Sequence, residues 1–283
     1  MKKIHKYSIL LIMFFVFTMA RIVPAIAAIQ VSPDLFEFKI EEKSNKKFIT
    51  GSFTVKTLDK DNIRFKIYPE SFDISPEGTM IVKENPVNNV LIDNIRFSPN
   101  EFEIKPGKSQ VVRFTINNLN SLPDGESRLV LFLEDTKTRE LILKSENKNI
   151  QPKIILKTRV GIPIYIDNGK TEKNGIFENL SIKENKGNFV YLANVKSTGN
   201  SKIRLFGKGQ IIENKKLISE FKIKNQPVQA GSTGTITDII PTEKLTPQKE
   251  YKLKMIFSFE NHNFKNIHLI KEACFTYEKP NNN

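Results

Sequence analysis

Apolar and polar residues alternate along much of this chain, and the longest alternation spans residues 150–166. A period of two predicts an extended strand. At about 3.3 Å per residue this strand would be on the order of 50 Å long, more than one small sheet covers. We therefore expect either a kink at Gly161 and Pro163 or a portion that stays exposed. The apolar face consists of Ile150, Ile154, Leu156, Val160, Ile162, Ile164 and Ile166, and the other face carries Lys153, Lys157 and Arg159.

Two interpretations of this long segment are open. In the first, it is a core strand that leaves one domain and enters the linker to the next. In the second, its exposed half is a template onto which another protein adds a strand, which is the β-augmentation mode of recognition. The rest of the sequence bears on this choice.

Shorter alternating segments, separated by turn-forming residues, fill the remainder of the chain. They predict roughly eight strands before residue 135 and seven after a polar break at residues 167–175, with no convincing amphipathic helix. The chain is therefore predicted to be all-β, with two tandem immunoglobulin-like β-sandwich domains. The predicted strands are 29–40, 48–56, 63–68, 80–82, 92–97, 102–104, 111–116 and 129–133, then 176–182, 189–195, 202–212, 217–223, 234–240, 251–259 and 267–277.

The start of the chain has the pattern of a cleaved secretory signal peptide. Basic residues come first, an apolar run occupies residues 9–20, and Ala25-Ile26-Ala27 fits the small-residue cleavage rule. Cleavage is expected after Ala27 or Ala28, although Arg21 keeps an uncleaved anchor helix open as an alternative. We thus predict a signal peptide at 1–27, an N-terminal domain at 28–168 and a C-terminal domain at 169–283. The mature protein is expected in the periplasm, without stable membrane insertion.

Charge and composition exclude further classes of partner and cross-link. The net charge of +13 includes four basic residues of the leader, which leaves +9 on the mature chain. The lysines are scattered among asparagines and glutamates, whereas nucleic-acid binding favours a clustered basic stripe. We expect no nucleic-acid partner. Cys274 is the single cysteine, so an intramolecular disulfide is excluded.

The sequence offers little catalytic chemistry. His262 and His268 are the histidines beyond the leader, and two histidines without further ligands are weak grounds for a metal site. The Pro106-Gly107-Lys108-Ser109 segment imitates a phosphate loop, but that motif needs a glycine where Phe102 stands. We expect no enzymatic activity, no metal and no cofactor.

Several segments resemble the periplasmic pilus (fimbrial) assembly chaperones, the PapD-like family, as a divergent member. They are IRFSPNEFEIKPGKSQVVR at 95–113, LPDGESRLVLFL at 122–133, TRVGIPI at 158–164 and NVKSTGNSKIRLFG at 194–207. The likeness covers most of the mature chain, and its weight lies in the order and spacing of the segments.

The resemblance implies two immunoglobulin-like sandwiches set at an angle and a long strand that is lent to pilus subunits. The donated side chains would be Ile150, Ile154 and Leu156. The family anchors the subunit's C-terminal carboxylate with an Arg in the first strand and a Lys in the long strand. Here the first strand has no Arg and Gly161 occupies the Lys position, so Arg159 or Lys157 is the candidate carboxylate anchor.

The expected partners are pilus or fimbrial subunits and an outer-membrane usher, with no cofactor or ATP. Self-association through the exposed strand is a further expectation. Residues 136–149, which are polar, would be a flexible cover for the strand in the free protein. The alternative is a secreted pair of immunoglobulin-like domains with an adhesive or structural role at the cell surface.

Overall fold

The computed structural model describes residues 29–42, 44–83, 89–137, 139–142, 153–185, 187–260 and 265–278. The predicted signal peptide and Ile150 lie outside these residues. Strands dominate what is described, and the prediction of an all-β chain with two β-sandwiches is confirmed. No helix in the described ranges is both long and apolar enough to cross a membrane.

The first sandwich is built from the strands up to residue 168. One sheet has the order β1-β3-β8-β6, and the other has the order β2-β12-β9-β4-β5, with β7 also paired to β4. The elements are β1 (Ile29–Ser32), β2 (Phe36–Ile40), β3 (Phe48–Thr57), β4 (Ile63–Ile74), β5 (Met80–Lys83), α1 (Val90–Asn94), β6 (Ile95–Ser98), β7 (Glu101–Ile104), β8 (Ser109–Asn117), a 3-10 turn (Leu119–Ser121), β9 (Gly125–Asp135), β10 (Arg139–Ile142), β11 (Lys153–Leu156) and β12 (Arg159–Asn168).

The second sandwich uses the remaining strands. A sheet of order β13-β14-β17 packs against a sheet of order β16-β15-β18-β19. Its strands are β13 (Gly175–Asn185), β14 (Asn188–Ser197), β15 (Ile203–Glu213), β16 (Lys216–Val228), β17 (Thr233–Ile239), β18 (Lys249–Glu260) and β19 (Asn266–Tyr277). All seven strands predicted for this half are confirmed, most of them with longer bounds.

Each sandwich closes around its own hydrophobic core. In β12 the alternation sends Ile162, Ile164 and Ile166 into the first core, where each is fully buried. Burial of one such side chain contributes about 1.5 to 3 kcal/mol. The second core is centred on aromatic residues such as Tyr191 and Phe257, which are also fully buried.

Three sequence predictions are corrected by the structure. Residues 29–40 are two strands in different sheets, because the chain crosses between the sheets at Pro33. The predicted strand at 92–97 begins as α1, which Asn89 caps by accepting a hydrogen bond from the backbone N–H of Leu91. Residues 139–142, expected within a polar loop, form β10; the loop residues 143–149 lie outside the described part of the chain.

Segment 150–166 is likewise not one continuous strand. It is divided at Lys157 and Thr158 into β11 and β12, whereas β12 runs through Gly161 and Pro163 without a break. Of the two alternatives expected for this segment, the exposed portion is found, and the break between strands lies at Lys157 and Thr158 rather than at Gly161 and Pro163.

The two sandwiches meet at a group of charges in which Lys202 and Glu126 are buried and Glu37 is half-exposed. Lys202, before β15, places its Nζ 3.3 Å from Glu126 Oε2 of β9 and 3.1 Å from Glu37 Oε1 of β2. Its Nζ also lies 3.4 Å from the centroid of the Tyr165 ring. Burial acts to raise the pKa of Glu37, but Lys202 and Arg204 outweigh it and hold this pKa below its usual value.

Candidate functional site

A hairpin extends from the first sandwich beyond its sheet. Strands β9 and β12 pair antiparallel within the sheet, and the same hairpin continues as β10 and β11. Arg139 lies opposite Leu156, and Ile142 lies opposite Lys153. We call these two short strands the arm, and we call Lys157 and Thr158, which join β11 to β12, the joint.

The β11 strand of the arm is apolar and exposed. Ile154, Ile155 and Leu156 are 42, 62 and 43 % exposed, whereas Ile164 of β12 is 0 % exposed. Ile154 and Leu156 therefore continue the apolar face of β12 without a core of their own. Consecutive exposed apolar side chains on a strand are a recognised feature of sites that pair with another chain.

One edge of the long hairpin is open. On the side away from β9, β2 pairs with β12 over Ile164–Asn168 only. Residues 159–163 therefore have a ladder partner in β9 alone, and β11 has one in β10 alone, as far as the described residues extend. Residues 154–163 thus present a backbone edge that has no ladder partner among the described residues, and at about 3.3 Å per residue this edge measures roughly 33 Å. We call this stretch the open edge.

A charged and aromatic group surrounds the joint. Lys157 Nζ lies 2.5 Å from Glu134 Oε1, and Tyr68 donates a hydrogen bond of 2.7 Å from its hydroxyl to Glu134 Oε2. The guanidinium of Arg159 lies 4.3 Å from the centroid of the Phe132 ring, a cation–π contact. Glu134 is 16 % exposed and Lys157 is half-exposed.

The pKa values around the joint follow from these contacts. The hydrogen bond from Lys157 lowers the pKa of Glu134; burial opposes this effect, and the hydrogen bond from Tyr68 adds to it. Burial, followed by the bond to Glu134, raises the pKa of Tyr68. The bond to Glu134 raises the pKa of Lys157. The Glu134–Lys157 pair therefore stays ionised through the neutral range.

The two candidate anchor residues are Lys157 in the joint and Arg159 directly after it, and each already has a partner. Lys157 pairs with Glu134 and Arg159 covers Phe132, so neither is only a solvated edge charge. The sheet surface next to these two residues is apolar at Gly161 of β12. A Cβ atom at this position would lie 3.0 Å from Val130 Cγ2. The role of these two residues as a carboxylate anchor stays a prediction.

Sequence reasoning missed Tyr68, Phe132 and Glu134. Tyr68 lies directly opposite Phe132 in the pairing of β4 with β9, and Glu134 lies opposite Arg159 in the pairing of β9 with β12. Each side chain belongs to an ordinary strand pattern, and only the pairing of the strands brings them together. A local sequence signal for this group is therefore lacking.

Catalytic groups are sparse in the described part of the chain. It contains no cluster of three or more His, Cys, Asp or Glu residues suited to a metal ion. His268 Nδ1 lies 2.7 Å from Ser258 Oγ on the neighbouring strand, and Cys274 is exposed as a free thiol.

Comparison with known proteins gives structural likenesses only, because no family model and no curated protein matches this sequence. The class 5 fimbriae chaperone CfaA is 12 % identical with a TM-score of 0.45, and the match covers 86 % of this chain and 98 % of CfaA. A chain of the CsuC–CsuE chaperone–adhesion subunit complex of Acinetobacter baumannii is 15 % identical with a TM-score of 0.42, over 86 % of this chain and 98 % of that one. Both are pilus chaperone structures.

A third likeness is to the complex of SafA pilin with the SafB chaperone of Salmonella enterica. The match is 8 % identical with a TM-score of 0.42 and covers 90 % of this chain and 99 % of that chain. These solved structures are of the family that the sequence resembles. At such identities and scores they assign no activity to this chain, so its function is inferred from the arm and the open edge.

Proposed function

We propose that this protein is a periplasmic chaperone that binds pilus or fimbrial subunits by lending them the open edge as a strand. One observation carries the proposal: an unpaired backbone edge coincides with the exposed apolar side chains of Ile154 and Leu156. A folded domain normally covers or blunts such an edge. Its persistence over residues 154–163 supports a role in pairing with another chain.

The chemistry of binding follows from this geometry. A subunit that lacks a strand would gain main-chain ladder bonds from the open edge and would receive Ile154 and Leu156 in its groove. Ile150 is the third proposed donated side chain, and it lies outside the described residues. Full burial of one Ile or Leu contributes about 1.5 to 3 kcal/mol. Two or three such residues hold a client firmly yet release it without ATP or a cofactor.

The positive charge at the joint suits a client carboxylate. Arg159 and Lys157 both belong to the open edge, and Lys157 is part of the joint. A carboxylate at the end of an added strand would form a charge-assisted hydrogen bond with either side chain. Arg159 or Lys157 is accordingly our proposed anchor for the client's C-terminus.

The signal-like leader and the family resemblance support the remaining parts of the proposal. The chaperone would act in the periplasm and deliver its subunit to an outer-membrane usher. It would perform no catalysis of its own.

The test is a pull-down of the tagged mature protein from its native periplasm, followed by mass spectrometry. The wild type is expected to bring down a small β-rich exported protein in a one-to-one complex. The Ile154→Asp, Leu156→Asp variant should lose it while its circular dichroism spectrum stays unchanged. The control variant Leu217→Asp, Ile239→Asp alters two similarly exposed residues of the second sandwich and should retain the client.

Two results would count against the proposal. Client capture by the Ile154→Asp, Leu156→Asp variant at the wild-type level would show that β11 is not the binding strand. Recovery of cell-wall material alone would favour the secreted surface protein.

A further inference from the structure

The open edge serves as one template only if its two parts are in line. Its arm part is residues 154–156 of β11, and its sandwich part is the five residues 159–163 of β12. The joint between them is not in a strand. A partner strand can pair across both parts only when the joint holds them in one register.

The backbone alone holds the joint weakly. The N–H of Asp135 donates to the carbonyl of Thr158 at 2.9 Å, and the N–H of Thr136 donates to the carbonyl of Arg64 at 2.9 Å. On the β9 side, Thr136 Oγ1 also donates to the carbonyl of Arg64 at 3.1 Å and Lys137 Nζ to that of Asn62 at 3.3 Å. The described arm itself is a two-stranded ladder of four residue pairs, and such a ladder on its own is only marginally stable in water. A side-chain contact on the β11 side of the joint would therefore help to fix the direction of the arm.

Glu134 makes that contact. Its carboxylate receives the Tyr68 hydroxyl from β4 on one oxygen and the Lys157 ammonium from the joint on the other. Glu134 thereby ties the joint to two strands of the rigid sheet by hydrogen bonds that involve charge. At 16 % exposure it is better shielded from water than an ordinary surface carboxylate.

We propose that Glu134 is a positioning residue that aims the arm along the edge of β12. Its effect on the arm is a property of the free protein, and its effect on client binding rests on the proposed function above. When Glu134 is neutralised, the ion pair with Lys157 is lost and the arm swings about the joint. A client strand then meets two short edges in place of one long edge.

The arm direction can be measured without a client. In a Cys274→Ser background, spin labels at Ile155→Cys on the arm and Arg113→Cys on β8 report the distance between arm and sandwich by pulsed electron paramagnetic resonance. The wild type is expected to give a narrow distance distribution. Glu134→Gln and Lys157→Met should each broaden it at least about two-fold, since the arm is marginal by itself.

Two controls separate positioning from general destabilisation. Glu213→Gln removes an ion pair of the same chemistry, 2.7 Å from Lys249 in the second sandwich, and should leave the distribution narrow. Combining Glu134→Gln with Lys157→Met should broaden it no further than either change alone, because both remove one contact. The thermal unfolding midpoint should fall by no more than about 4 °C in any of these variants, because a partly exposed ion pair contributes at most about 1 kcal/mol.

Capture of the client by unlabelled Glu134→Gln protein is expected to fall about five-fold. A narrow distribution in Glu134→Gln would overturn the proposal, whatever the client assay shows. A broad distribution with undiminished capture would overturn the link from arm direction to binding. Absence of any client from the wild-type pull-down would instead refute the proposed function and leave the measured arm direction as it stands.

Discussion

Truncation of Ile154 and Leu156 to alanine should weaken client binding by an amount that the structure sets. Full burial of either side chain contributes about 1.5 to 3 kcal/mol. Their exposed fractions are 42 and 43 %, so roughly two fifths of that energy is still to be gained when a partner covers them. The pair then contributes roughly 1 to 2.5 kcal/mol, which is about a 5- to 70-fold change in Kd.

The assay is isothermal titration of the mature protein with the client recovered by pull-down. The Ile154→Ala, Leu156→Ala variant should bind more weakly within that range, while its circular dichroism spectrum stays that of the wild type. A matched control is Leu217→Ala, Ile239→Ala, because these residues are 51 and 53 % exposed but lie on the second sandwich. This control should leave the Kd unchanged.

An equal loss of affinity in both variants would refute the reasoning, since exposed apolar area anywhere on the protein would then serve equally well. An unchanged Kd in the arm variant would show that the client does not cover these two residues.

The remaining predictions concern the body of the protein. Ile164→Ala removes a fully buried side chain and should lower the free energy of unfolding by about 2 to 5 kcal/mol in urea titrations. Lys202→Met removes one partner of the buried Glu126 and should lower the free energy of unfolding by up to roughly 3 to 5 kcal/mol in the same assay. The double variant Lys202→Met, Glu126→Gln should recover part of this loss, because it no longer buries an unpaired carboxylate. The pKa of Glu134 is lower in the folded state than in the unfolded state, where it is near 4.5. The ionised Glu134 therefore adds its full contribution to the free energy of unfolding above pH 4.5, and this contribution is lost as the pH falls through the lower pKa of the folded state. The free energy of unfolding should therefore fall more steeply with decreasing pH in the acid range for the wild type than for Glu134→Gln. Parallel pH profiles of the two proteins would contradict the Glu134–Lys157 ion pair.

Much of the fold follows from the period-two pattern in the sequence. The pattern located every strand of the second sandwich and the buried face of β12. It failed where one alternating run serves two sheets, as at residues 29–40, because alternation shows which side chains share a face and not which sheet supplies the partner strand. It also passed over β10, whose residues Arg139–Ile142 carry two charges in four positions.

The candidate site was predictable in part. Ile154 and Leu156 stand out from the sequence because they repeat the apolar face of β12. Glu134 and Tyr68 do not stand out, since they are 66 positions apart and meet only through the pairing of β4 with β9. Contacts of this kind depend on topology, which no local pattern encodes.

The same alternation therefore has opposite outcomes on the two sides of the joint. Ile162 and Ile164 are buried because a second sheet of the same chain covers their face. Ile154 and Leu156 have equivalent side chains at equivalent positions, yet β11 has β10 as its single described neighbour and no sheet packs over it. In physical terms the arm is a piece of sandwich whose second layer is missing from the described chain. In the proposed function, a client with an incomplete sandwich would supply that layer, and each molecule would then complete the other's fold.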